Sequence, residues 1–146
     1  MNLYHEDELY LYGKSIESGE WSKLTLCRSL WERDSRYEFF RSQKAYNDFK
    51  CDNIIAEKNQ GGELVTINIR IHKKNVPVKL VHASKGKLAR AEPVASLYSA
   101  GRVHHVGNFA ELEDELCTYT GKIGEKSPNR LDALVWGLTE LAGLEM

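Results

Sequence analysis

The feature that most constrains the fold is residues 53–62, NIIAEKNQGG, where a short apolar run ends in a carboxylate and two glycines follow. Ile54 and Ile55 are β-branched and favour a buried strand. Glu57 follows where such a strand leaves the core, at the edge where open α/β sheets place ligand chemistry. The glycines permit a sharp turn, and the apolar residues after residue 63 recur at helical spacing. The stretch predicts a strand, a glycine turn and a helix, with Glu57 as a candidate metal ligand or base.

The composition limits the class of protein. The 146 residues suffice for one domain with its own core. The 20 basic and 21 acidic residues nearly cancel, so net charge indicates no partner. No apolar run is long enough to span a bilayer, and no signal peptide is visible. The three cysteines, Cys27, Cys51 and Cys117, have no zinc-site spacing and indicate reduced thiols in a cytosolic protein.

The remaining elements follow from hydrophobic periodicity. Residues 8–16 alternate as a strand does. Residues 20–49 predict one interrupted helix or two, and their aromatic side chains fit either base stacking or, as we favour, core packing. Further along, the pattern predicts strands over residues 76–83 and 102–106 and helices over residues 88–101, 109–119 and 129–141.

Three basic residues lie just before the helix predicted over residues 88–101 and in its first turn. Lys85, Lys87 and Arg90 lie at its start, and helix N-termini and lysine side chains both favour phosphate. A solvated basic loop explains the same residues equally well.

Other polar residues have simpler interpretations. His104 and His105 are adjacent, so on a strand they would point to opposite faces and would not share one metal ion. We interpret them as structural or surface residues. The four carboxylates of helix 109–119 indicate a solvated helix face rather than a metal site.

The last helix carries a second candidate acid. Ser127 and Pro128 resemble an N-cap and a first helical position, which places Asp132 in the first turn. Its carboxylate either interacts with the helix dipole or faces Glu57 across the sheet edge and shares a divalent cation with it. Mg²⁺ commonly uses one or two carboxylates together with substrate phosphates.

Five blocks, in order, resemble the C-terminal nuclease domain of tailed-phage terminase large subunits. The first resembles the second acidic motif of that family, and the last resembles its closing acidic motif. The resemblance covers about residues 53–141 and is weak before residue 53. The blocks are residues 55–65 (IAEKNQGGELV), residues 81–87 (VHASKGK) with 90–95 (RAEPVA), residues 101–107 (GRVHHVG), residues 112–116 (LEDEL) and residues 127–136 (SPNRLDALVW).

The resemblance implies an RNase H-like, or resolvase-like, α/β fold with a mixed central sheet flanked by helices. It implies a nuclease that uses Mg²⁺ or Mn²⁺ to cut concatemeric double-stranded viral DNA, with Glu57 and Asp132 as catalytic metal ligands. It also implies the terminase small subunit and the portal as partners, the bacterial host cytoplasm as location, and no membrane. From charge and position we expect Lys85, Lys87 and Arg90 to contact DNA phosphates.

The chain departs from this family in two respects. Family members carry a first catalytic aspartate on the first strand, upstream of the segment that residues 9–16 resemble. Asp7 does not lie in a similar motif, and no G-x-x-x-x-G-K pattern of an ATPase motor is present. We therefore expect residues 1–146 to form a single, partial nuclease-type domain that lacks the first strand.

Three functions remain open from the sequence. The chain is a metal-dependent endonuclease domain, an inactive terminase or prophage remnant that keeps the fold and DNA or portal contacts, or another nuclease of the superfold such as a junction resolvase. The last fits the acids but not the ordered blocks. Loss of the first strand would expose an edge at residues 9–16, which predicts self-association.

Overall fold

The computed structural model describes residues 10–14, 21–27, 43–58, 67, 75–105, 107–125 and 128–144. Its strands are β1 (Tyr10–Lys14), β2 (Trp21–Cys27), β3 (Asn53–Glu57) and β4 (Val78–Val81). Its longer helices are α1 (Lys87–Ser99), α2 (Ala110–Thr118) and α3 (Asn129–Ala142). A short helical segment over residues 43–48 precedes β3. Within the described residues, no helix is both long and apolar enough to cross a membrane.

The strands form one mixed sheet in the order β1-β2-β3-β4. β1 and β2 are antiparallel, whereas β2–β3 and β3–β4 are parallel. The register pairs Glu57 with Val81. Because parallel strands end at the same edge of a sheet, Glu57 lies at the carboxyl edge, where sheets of this kind expose functional groups. The α/β class and the mixed sheet agree with the prediction from the sequence.

Strand β3 is buried on both faces, and its alternation decides where Glu57 points. Ile54 and Ala56 pack with Val76 on one face. Ile55 packs on the other face against Trp136 of α3. Since side chains alternate along a strand, Glu57 shares the face of Ile55 and is directed toward α3.

Helix α3 joins the sheet to the other helices. Its buried stripe packs with Val94 of α1 and Leu112 of α2 in one apolar cluster, and the α3 members of that cluster are Leu131, Leu134, Val135 and Leu138. On the sheet side, Lys79 Nζ of β4 lies 2.7 Å from Glu140 Oε1 near the end of α3. The sheet edge, α1 and the first turn of α3 are therefore held in one packed unit.

Several elements match the sequence-based predictions. β3, β4 and all three helices occur where periodicity placed them. The end of α1 also matches, because Gly101 has a φ of 63° and donates its backbone N–H to Tyr98 O. Such left-handed conformations at helix ends favour glycine.

Two predicted elements are wrong. Residues 21–27 form β2 and not part of a helix over residues 20–49, because strand pairing outweighs a local pattern compatible with helix. Residues 102–105 form a loop and not a strand. The helix predicted after residue 63 lies almost entirely outside the described residues, as does Asp7. The absence of a first strand and its aspartate therefore stays a prediction.

Candidate functional site at the sheet edge

The two predicted acids meet at one guanidinium group. Glu57 ends β3 and Asp132 lies in the first turn of α3. Arg90 of α1 donates from Nη2 to Asp132 Oδ1 at 2.7 Å. Its Nη1 lies 3.6 Å from Glu57 Oε1, an ion pair longer than a hydrogen bond. The fold thus brings together carboxylates from a strand and a helix that are far apart in sequence.

Arg90 is the most buried charged residue of this site. Its side chain is 3% exposed, and its guanidinium carbon lies 4.6 Å from the centre of the Trp136 ring. Such stacking is favourable for arginine, which is weakly hydrated and planar. Nε and Nη1 are buried, and no described residue accepts a hydrogen bond from either. Burial of this cation is compensated by the two carboxylates and the indole ring.

Lys87 supplies a second cation to the same carboxylate. It lies one turn before Arg90 on α1, and its Nζ is 3.1 Å from Asp132 Oδ2. Its side chain is 25% exposed. Lys85 precedes it in an exposed loop. Both oxygens of Asp132 therefore face cations that come from a single turn of α1.

Glu115 of α2, and not Asp132, accepts a hydrogen bond from a backbone N–H at the start of α3. Glu115 Oε2 accepts the backbone N–H of Leu131 at 2.9 Å. Glu115 Oε1 also lies 3.2 Å from Arg130 Nη1, and Arg130 pairs with Glu111 as well. Since a helix start leaves unpaired N–H groups, this arrangement leaves the Asp132 carboxylate to interact with α1.

The acidic helix α2 is therefore less solvated than the sequence indicated. Glu111 and Glu115 pair with Arg130, and Glu113 pairs with His105. Of the four acidic residues of α2, only Glu111 and Asp114 are exposed. The interpretation of α2 as a simple solvated face was incomplete, because its carboxylates hold α3 and the loop after α1.

The donor chemistry of the sheet edge fits a hard divalent cation. The Glu57 and Asp132 side chains are 20% and 12% exposed, and carboxylate oxygens are the ligands that Mg²⁺ and Mn²⁺ prefer. In the part of the chain that is described, no group of three or more histidine, cysteine, aspartate or glutamate residues is placed to hold a metal. The pair thus fits a site completed by water and phosphate oxygens.

A second polar cluster, which sequence analysis missed, lies between α1 and α2. The Tyr98 hydroxyl lies 2.8 Å from His105 Nε2, and His105 Nδ1 lies 2.9 Å from Glu113 Oε1. Burial, aided by the charge of Glu113, raises the pKa of Tyr98 to about 12. The hydroxyl therefore stays protonated near neutral pH, and the tautomer of His105 decides which group donates in each of these two hydrogen bonds.

The loop that leads toward α3 is ordered by one carboxylate. Glu125 accepts hydrogen bonds from the backbone N–H and hydroxyl of Thr120 and from the backbone N–H of Lys122. Desolvation raises the pKa of Glu125, but these hydrogen bonds together outweigh it and hold the pKa below its ordinary value. The glycines of residues 120–126 predict a loop here, but no sequence motif marks Glu125 as the residue that holds it.

Comparison with known proteins identifies the family and the fold. A family model described as the terminase RNaseH-like domain matches residues 34–141. No curated protein and no solved structure shows a significant match. The matched range contains Glu57, Lys87, Arg90 and Asp132, and it confirms the resemblance and the RNase H-like fold that the sequence blocks implied. The chain belongs to the terminase RNaseH-like domain family, which is a C-terminal nuclease domain of terminases.

Proposed function

We propose that this chain is a metal-dependent endonuclease domain of a viral packaging terminase and that it cuts concatemeric double-stranded DNA. The observation that carries the proposal is the meeting of Glu57 and Asp132 at one guanidinium group. Membership of the terminase RNaseH-like family supports the reaction class. In this proposal Glu57 and Asp132 hold Mg²⁺ or Mn²⁺.

The fold positions both acids on rigid elements. Glu57 follows three residues that are at most 2% exposed, and its strand is paired on both sides. Asp132 is fixed by Arg90 and by the capped first turn of α3. A divalent ion bound there would stabilise charge on a phosphodiester and favour formation of a hydroxide nucleophile. Charged groups that are held in place before the reaction usually make the largest single contribution to stabilising the transition state.

The basic residues beside the acids would contact the substrate. Lys85 is exposed and Lys87 is partly exposed at the start of α1, so both are proposed to bind DNA phosphates. Arg90 would reach a phosphate only if that phosphate entered beside the two carboxylates, because its side chain is 3% exposed. Its role as a phosphate contact stays a prediction.

A second candidate function is a catalytically inactive remnant that retains the fold and DNA or portal contacts. The specific observation in its favour is charge compensation, because Lys87 and Arg90 both pair with Asp132. Within the described ranges no third metal-binding side chain joins the two acids. Loss of one ligand leaves a weak site in metalloenzymes.

Calorimetric titration with Mn²⁺, run beside a plasmid-nicking assay, separates these functions. We expect the chain to bind Mn²⁺ and nick DNA, and Glu57→Gln and Asp132→Asn to lose both, since each removes a carboxylate ligand. Asp114→Asn, on the exposed face of α2, is the matched control and should behave as the parent chain.

Each other outcome is informative. Binding without nicking would favour the inactive remnant. A parent chain that binds no Mn²⁺ and does not nick DNA would overturn the proposal that it is an active metal-dependent endonuclease. Loss of binding in Asp114→Asn would show that the assay reports general charge and not the sheet-edge pair.

The remaining assignments also rest on family membership. The small subunit and portal as partners, the bacterial host cytoplasm and the organisation of residues 1–146 as one domain are proposals. β1 lies at one edge of the described sheet, which supports self-association through residues 9–16. Light scattering over a concentration series should show mass above that of a monomer, and a constant monomer mass would refute this.

A further inference from the structure

The two cations that face Asp132 are held very differently. Lys87 contacts Oδ2 and is 25% exposed, whereas Arg90 contacts Oδ1 and is 3% exposed. Arg90 is also stacked on Trp136 and lies near Glu57. Moving Arg90 would disrupt several contacts in a buried position, whereas the lysine amine is at the rim of the site.

We infer that Lys87 is an exchangeable counter-ion of Asp132: it occupies Oδ2 when no divalent ion is bound and leaves when one binds, while Arg90 stays in place. The released Lys87 amine is then available to a DNA phosphate. This inference rests on the proposed function, because it assumes that Asp132 is a ligand for a divalent ion.

The chemistry of the two side chains supports this division. A lysine ammonium is a compact charge on a flexible four-carbon stem, and it is strongly hydrated when released. An arginine that is stacked and doubly paired holds a fixed orientation. A cation that approaches Oδ2 must displace Lys87 or be repelled by it. Removing the Lys87 charge should therefore favour binding of a divalent ion at Asp132.

A purely structural ion pair predicts the opposite pattern. If Lys87 only orients Asp132, its loss would leave the carboxylate less well placed and binding of the ion would weaken or stay the same. The sign of the change in affinity thus distinguishes exchange from positioning.

The decisive measurement is calorimetric titration of the full chain with Mn²⁺, without DNA. We expect Lys87→Gln to bind Mn²⁺ about fivefold more tightly than the parent, the change expected when a competing, partly exposed ion pair is removed. Lys85→Gln removes the same charge two residues earlier, in the exposed loop, and should change the affinity much less. Circular dichroism verifies that both variants fold as the parent does.

Binding of a fluorescent DNA duplex, followed by anisotropy with and without Ca²⁺, provides the second readout. In the parent chain Ca²⁺ should strengthen binding, in part by releasing Lys87. Lys87→Gln should lose part of this Ca²⁺-dependent gain. Lys85→Gln should weaken binding by a similar factor in both conditions, because Lys85 is not engaged with Asp132.

The outcomes separate failure of the inference from failure of the proposed function. Equal or weaker Mn²⁺ affinity in Lys87→Gln, with normal binding by the parent, overturns the exchange but leaves the metal site intact. Absence of binding in the parent and in both variants overturns the proposed function and the exchange together. Binding that becomes detectable only in Lys87→Gln supports the exchange.

Discussion

Helix α1 carries a polar cluster near each end, and the two clusters are built on different principles. The carboxylate cluster comprises Glu57, Lys87, Arg90 and Asp132. The histidine cluster comprises Tyr98, His105 and Glu113. The first joins charged side chains from three elements around a buried cation. The second is a chain of hydrogen bonds between neighbouring segments.

The two clusters differ in whether their buried nitrogen atoms all have hydrogen-bond partners. Each ring nitrogen of His105 has one partner, so this cluster is closed and ties the loop to two helices. In the carboxylate cluster, Nε and Nη1 of Arg90 are buried, and no described residue accepts a hydrogen bond from either atom. Buried polar groups without partners cost stability, and such costs are characteristic of sites kept for function. This difference supports our proposal that the carboxylate cluster has a chemical role, whereas the histidine cluster ties two helices to a loop.

The largest predicted effect comes from breaking the carboxylate cluster. Arg90→Met should lower the free energy of unfolding by about 3 kcal/mol, the lower end of the range for breaking a buried ion pair, because it removes the buried cation shared by Glu57 and Asp132 while Lys87 still faces Asp132. Urea unfolding at neutral pH measures this. The double variant Arg90→Met with Asp132→Asn should recover part of the loss, since one uncompensated charge is then gone.

Arg102→Met, at an exposed position after α1, is the control for the loss of an arginine and should change stability by less than about 0.5 kcal/mol. If Arg90→Met cost no more than this control, the carboxylate cluster would contribute no more than a surface ion pair. The contrast with the histidine cluster would then disappear.

A smaller effect is expected in the histidine cluster. Tyr98→Phe removes one partly buried hydrogen bond and should cost about 1 kcal/mol at neutral pH. The raised pKa of Tyr98 means that the folded chain keeps this proton where the unfolded chain loses it. The parent should therefore lose stability as pH rises from about 10 toward 12, and Tyr98→Phe should lose less over that range.

Tyr119→Phe supplies the matched control, because Tyr119 packs against the same helical core. Denaturant unfolding across neutral and alkaline pH compares the two variants. An unchanged alkaline slope in Tyr98→Phe would refute the role assigned to its hydroxyl. Neither substitution should alter Mn²⁺ affinity, whereas a change in Tyr98→Phe would connect the two clusters.

The sequence predicted the two acids because each is marked by a local pattern. Glu57 ends an apolar run, and Asp132 opens a helix with a regular buried stripe. Their partner was harder to identify, since Arg90 and Asp132 are 42 residues apart and nothing in the sequence specifies that Arg90 stacks on Trp136. Periodicity reports which face of an element is buried, but not which elements meet.

The errors have the same origin. In β2, Leu24 and Leu26 fit a strand, but the wider spacing from Trp21 also fits a helix, and only pairing with β1 and β3 decides between them. The histidine cluster was missed because no spacing rule links His105 to Glu113, although each lies in one of the five blocks. Their contact depends on the path of the loop that joins α1 to α2.

The alternation of β3 has a further consequence for how this chain can vary. Ile55 and Glu57 share the face of α3 only because a single residue separates them. Inserting or deleting one residue there would turn Glu57 toward the face of Ile54 and Val76. A change of length at this point redirects Glu57, whereas a substitution leaves its direction unchanged, so the length of β3 before Glu57 is constrained separately from the identity of its side chains.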